Sequence, residues 1–212
     1  MPEPTRDAAL YAGSSAEMVC SYRGSLTSQS TDPLFPAAPY DPTLFTLSSP
    51  NLNNRLNPAG PSILVLPTQP AATLNTNKMA YNISSNEIAY FAKNTWAANP
   101  SDMLTPLIMQ ALGNSHLFSA LAMAPFVGQT DYRLFTQLQV LQQNFLTQPS
   151  RIEMVLTAQL VSNNQEKLIA SRRFSVIQPC ESNNPAGGAA AANIATQKIL
   201  QQLVQFCGAY LK

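Results

Sequence analysis

Few side chains in this 212-residue chain could do covalent chemistry, and their spacing argues against it. The single histidine, His116, follows a Gly113-Asn114 pair. As a metal ligand it would need company, and no second histidine exists to form a zinc pair. Cys20, Cys180 and Cys207 are too far apart for metal-ligand spacing. Glu87 and Asp102 could be set together as an acid/base pair, but both fall among polar residues where solvated carboxylates are expected. No G-x-S-x-G, no G-x-x-x-x-G-K phosphate loop and no G-x-G-x-x-G stretch is present. The expectation is a protein with no catalytic residues, metal or cofactor, in which His116 is a loop or surface residue.

The cysteines carry a different message. Cys180 and Cys207 flank the last helix, and in an oxidising periplasm or exterior they are expected to be bonded. The alternative is two separate thiols, with Cys207 partly buried on the helix. Cys20 stands before a tract rich in Ser, Thr and Pro, with no evident partner. A cysteine at the head of a flexible leader is where bacterial lipoproteins are lipidated. The residues before it, Glu17-Met18-Val19, lack the small side chains expected there. Residues 1–19 hold no continuous apolar segment, so the protein is expected to be cytoplasmic or to have lost its signal. Asn82-Ile83-Ser84 fits a glycosylation sequon, which matters only in a secreting eukaryote.

These residues need a scaffold, and the length suits one domain with an irregular leader. The net charge is +1 and only 11% of residues are charged, without the basic stripe that nucleic-acid binding needs. Residues 1–43 lack apolar periodicity, and Pro33, Pro36, Pro39 and Pro42 punctuate them, so they read as a disordered tether. The domain then spans 44–212. Leu44 to Leu47 and Ile63 to Leu66 read as strands, the second buried on both faces. Tyr81 and Ile83 enter a turn, and a second strand runs to Trp96, which reads as a core anchor together with Tyr90.

Asn99-Pro100-Ser101-Asp102 opens a helix, with Ser101 or Asp102 as the cap, and Gly113-Asn114 stops it. Phe118 to Ala122 is a weak strand. Tyr132 to Phe145, Ile152 to Leu160 and Leu168 to Val176 read as an antiparallel meander with a turn at Asn163-Asn164. Its inward residues include Leu138, Val140, Leu168, Ala170 and Phe174. Arg172 falls on the apolar parity, at a strand bend or paired with a carboxylate such as Glu153. After a flexible Gly187-Gly188, a helix runs from about Ala189 to Leu211. The expected fold is α+β, a mostly antiparallel sheet with two main helices packed on it.

In this order the elements resemble the PqiC-type ABC-transport auxiliary lipoproteins. The resemblance rests on Leu44-Phe45-Thr46-Leu47, Ile63-Leu64-Val65-Leu66-Pro67, Glu87-Ile88-Ala89-Tyr90, Asn94-Thr95-Trp96 before the helix, Tyr132-Arg133-Leu134 and the final helix. Tyr90, Asn94 and Trp96 form its most specific tract. It implies a non-catalytic periplasmic lipoprotein, usually anchored at the outer membrane; Cys20 is a candidate for the lipidated residue by its position alone, and whether it is that residue stays open. The implied partners are an MCE protein and, through it, a permease and an ATPase. Direct lipid binding and homo-oligomer formation stay open. A periplasmic assembly or secretion accessory domain, or a stand-alone lipid-binding module, remain alternatives.

Overall fold

A computed structural model describes residues 42–48 and 56–211; the expectations for the leader, including Cys20, lie outside them. The strands are β1 (Thr43–Phe45), β2 (Ser62–Val65), β3 (Gln69–Pro70), β4 (Lys78–Ser84), β5 (Glu87–Trp96), β6 (Ala120–Met123), β7 (Tyr132–Asn144), β8 (Arg151–Ser162) and β9 (Lys167–Pro179). The helices are α1 (Pro100–Gly113) and α2 (Pro185–Tyr210). All nine strands join one sheet. The meander of β7, β8 and β9 is present as expected, antiparallel throughout.

The sheet as a whole is mixed, which corrects the expectation of a mostly antiparallel one. β1 runs parallel to β5, β6 to β2, and β2, β3 and β4 all run parallel to β7. Only β4/β5, β7/β8 and β8/β9 are antiparallel. Tight turns make sequence neighbours antiparallel. The parallel partners here are distant in sequence, so no local turn announces them.

Two bulges reverse the expected facing of particular residues. The β7/β8 register slips between Leu138 and Val140, so Val140 pairs with Val155 on the outer face while Leu141 turns inward and is buried. The β8/β9 register slips between Leu160 and Val161, so Leu168 pairs with Val161 and is half exposed. An extra residue inverts the side-chain parity beyond it. Arg172 keeps the inner parity opposite Ala158, but it does not meet Glu153. Its guanidinium lies 5.6 Å from the Phe174 ring centre, and Glu153 pairs with Arg151 at 3.2 Å.

Both helices start differently from the sequence reading. In α1 the cap residue is Asn99, whose carbonyl accepts from the Asp102 and Met103 N–H groups; neither Ser101 nor Asp102 caps. Pro100 occupies the first turn, where its missing N–H costs nothing. α2 begins at Pro185, four residues before the expected start. Asn184 Oδ1 accepts from the Gly187 N–H at 2.8 Å. Gly187 and Gly188 are therefore buried helical positions and not a flexible lead-in. A Cβ on Gly187 would strike the Ser182 carbonyl oxygen, so bare backbone is required there, and one on Gly188 would have to displace the buried Gln143 amide.

α2 lies on the inner face of β8 and β9, with Phe206 edge-on to Phe174 at 5.8 Å between centres. α1 packs beside it and is tied to the sheet by a buried chain of hydroxyls. Thr105 Oγ accepts from the Thr68 N–H at 3.0 Å, and Thr68 Oγ meets Thr136 Oγ of β7 at 2.8 Å. Trp96 is buried in the same core, as expected, whereas Tyr90 is 37% exposed and donates its hydroxyl to the Thr73 carbonyl at 2.9 Å. Two expected outcomes follow from this packing. Trp96→Ala should lower unfolding free energy by about 3–5 kcal/mol in a urea titration. Gly188→Ala should also destabilise, and pairing it with Gln143→Ala should recover part of the loss, because the obstructing oxygen is then gone.

Candidate interaction site

A recess opens where three elements meet on the outer face of the sheet. Arg133 of β7 sits in register between Leu64 of β2 and Val161 of β8, so its side chain forms the floor. The β6–β7 loop contributes Phe126, Gly128, Gln129 and Thr130, and the β8–β9 turn contributes Asn163, Asn164 and Glu166. The cleft holds about 640 Å³. Phe126 is half exposed beside it, and the neighbouring Val127 projects fully into solvent.

The loop and the turn are stapled together by hydrogen bonds. Asn163 Nδ2 donates to the Thr130 carbonyl at 2.6 Å and to Thr130 Oγ1 at 3.1 Å. Asn164 Nδ2 donates to Asp131 Oδ1 at 3.2 Å. Asp131 Oδ2 accepts from Ser62 Oγ at 2.7 Å and from the Ser62 N–H at 2.8 Å. These donors hold the Asp131 carboxyl below its ordinary value of 3.8, the Ser62 hydroxyl first among them. The loop is thereby fixed to β2 as well as to the turn. Within the cleft, Arg133 Nε and Asn163 Oδ1 are sealed from water without a hydrogen-bond partner. The lining holds a guanidinium, a carboxylate, three amides and apolar walls, but no nucleophile paired with a base.

The other residues singled out by sequence lie apart. His116 is exposed in the turn after α1, in the left-handed region at φ 57°. Glu87 accepts from Ser84 Oγ at 3.4 Å in the β4–β5 hairpin, while Asp102 is exposed in the first turn of α1; no contact joins them. Asn94 pairs with Thr43 across β5 and β1. The expected bridge between Cys180 and Cys207 is not formed; both thiols are free and buried. The reason is directional. α2 runs back along β9, so Cys207 lies beside Phe206 at the level of Phe174, six residues up the strand from Cys180. At about 3.3 Å per residue that is roughly 20 Å, far beyond disulfide reach. Burial pushes the Cys207 thiol up to about 12 and raises that of Cys180 as well.

The sequence did not single out the cleft. Arg133 appeared only within the Tyr132-Arg133-Leu134 tract, and nothing local shows that Leu64 comes to lie beside it. Among the described residues no group of three or more His, Cys, Asp or Glu could hold a metal ion. No helix there is long and apolar enough to cross a membrane.

The model of a family described as the ABC-type transport auxiliary lipoprotein component matches residues 45–204. Among solved structures, protein XCC0632 from Xanthomonas campestris is 21% identical, with a TM-score of 0.70 over 79% of this chain and 95% of that one. An uncharacterised protein is 14% identical with a TM-score of 0.60, over 79% and 97% of the two chains. The hypothetical protein CT253 from Chlamydia trachomatis is 9% identical with a TM-score of 0.51, over 72% and 98%. At these identities the likeness is one of fold. No curated protein matches.

Two measurements test the chemistry described above. In folded protein, without reductant, Cys180 and Cys207 should resist iodoacetamide near pH 8, and both should react once urea unfolds the chain; the mass should not change on reduction. Asp131 has a lowered folded pKa, so it stabilises above its unfolded value and that contribution fades as pH falls through the folded one. The advantage of the native protein over Asp131→Asn in urea midpoint should therefore be largest near pH 7 and shrink below about pH 4.

Proposed function

The chain belongs to the ABC-type transport auxiliary lipoprotein family, and from that premise we propose that it is a non-catalytic envelope component of an MCE-type lipid-transport system. The observation that carries this reading is the family match across almost the whole described domain. In this role the domain is a periplasmic accessory that holds the MCE protein in place while lipid moves between the two membranes. The permease and ATPase are engaged only through that partner. Cys20 is the proposed lipid attachment point at the outer membrane, with the Pro-rich segment after it as the spacer. The cleft around Arg133 supports a recognition role, since its lining is mainly polar, Asn163 is held by the Thr130 carbonyl, and exposed Phe126 and Val127 stand beside it.

Affinity capture of the full chain from membranes of its own bacterium tests the proposal. The MCE protein should co-purify, and radiolabelled palmitate should appear on the native chain but not on Cys20→Ala, which should leave the membrane fraction. Capture without any MCE protein would reject the transport assignment. Palmitate on the Cys20→Ala chain would reject that anchor.

A further inference from the structure

We propose that β9 is a docking edge for an acidic, extended segment of a partner protein, which joins the sheet as an additional strand. The inference goes beyond the family reading and does not depend on it.

The backbone supplies the first argument. β9 pairs with β8 along one edge only. Among the described residues, Lys167–Pro179 makes no backbone hydrogen bond outside that ladder. An open edge of 13 residues is long, and such edges are templates for another strand; charge on the edge bars a like-charged strand and leaves it open to an oppositely charged one.

Charge selects the partner. β9 carries Lys167, Arg172 and Arg173 and no acidic residue. The one ion pair among the described residues is Arg151–Glu153, so no described carboxylate pairs with these three cations. The helix packed on its inner side, α2, adds Lys198 and no carboxylate. Glu153 on the adjacent strand is already engaged by Arg151, Asn144 and Gln142. The Arg172 guanidinium lies 5.6 Å from the Phe174 ring centre, a cation–π contact that limits its freedom. Arg172 and Arg173 are successive, so they address opposite faces of an added strand. Two adjacent carboxylates in the incoming segment would meet both. Exposed Leu168 and Ile177, near the two ends of β9, offer apolar contacts to its flanking side chains.

A second copy of this chain fits worse. Antiparallel self-pairing about the middle of β9 would set Arg172 and Arg173 against the same arginines, and like charges directly opposite are destabilising. Added strands of this kind take affinity from main-chain hydrogen bonds and specificity from side chains. Here the specificity element is the arginine pair.

The test is selection of random peptides of about a dozen residues on the full chain. Enriched peptides should hold adjacent Asp or Glu within a run of β-branched or aromatic residues. By fluorescence anisotropy their affinity should fall by about tenfold or more for Arg172→Glu with Arg173→Glu, and stay near the native value for the paired lysine variant. Replacing the peptide's acids by lysine should abolish binding, and this reads the same charge dependence should the glutamate variant fold poorly. Bound peptide should slow amide exchange in β9. Enrichment of neutral or basic peptides, affinity indifferent to both charge reversals, or protection away from β9 would overturn the proposal. So would a β9-mediated dimer in light scattering, or exchange protection of β9 in the free chain that vanishes when residues 1–41 are removed. Binding to phosphatidylglycerol vesicles that depends on both arginines, with no peptide selected, would overturn it too.

Discussion

Both edges of β7 must be hydrogen-bonded because the strand runs through the middle of the protein, and much of the architecture follows from how that requirement is met. A buried backbone N–H or C=O without a partner costs about 1–3 kcal/mol. β8 pairs with one edge of β7 over almost its full length. No single strand covers the other edge. β2 takes Tyr132–Leu134, β3 takes Gln137–Leu138 and β4 takes Gln142–Asn144. Three short strands from one earlier stretch of chain are thus laid end to end along β7. All three run parallel to it, and this makes the sheet mixed.

The same strand organises the helices. Its inner face presents Leu134, Leu138 and Leu141 to the core, but also Thr136 and Gln143, both buried. Thr136 reaches α1 through Thr68 and Thr105. Gln143 donates to Ser150 Oγ and to the carbonyl of Asn184, the cap of α2. Each helix is therefore located by a short neutral hydrogen-bond chain as well as by apolar packing. Neutral groups suit this place, because a buried ion pair must first recover a desolvation penalty of several kcal/mol. The consequence for function is that charge is left for the surface. The guanidinium of Arg133 sits in the cleft and those of Arg172 and Arg173 on the open edge. A scaffold of this kind presents its charged groups on a stiff frame.

Sequence periodicity identified the elements well where a residue's neighbours in space are also its neighbours in sequence. The β7–β8–β9 meander, the β4–β5 hairpin, α1 and α2 all show it, because turns at Asn163-Asn164 and Ser85-Asn86 and helix-period apolar stripes are local signals. Trp96 as a core residue was legible for the same reason. Periodicity misled at the bulges. One added residue beyond Leu138 sent Val140 outward, and the slip beyond Leu160 did the same to Leu168. The start of α2 was misread because two glycines suggested flexibility, when close approach of Ser182 excludes a side chain at Gly187 and that of Gln143 crowds one at Gly188.

The sequence by itself therefore determined the inventory of elements, the single core, the family and the lack of a catalytic motif, since these rest on short-range patterns and residue types. The tertiary structure alone decided that the sheet is mixed, that Cys180 and Cys207 stand too far apart to bond, and that Leu64, Arg133 and Asn163 share one cleft. Among the described residues it also left β9 as an open basic edge. Each of these depends on which distant segments lie side by side and in which direction. That choice is made when the whole chain satisfies its buried backbone and fills its core at once, and no window of neighbouring residues contains it.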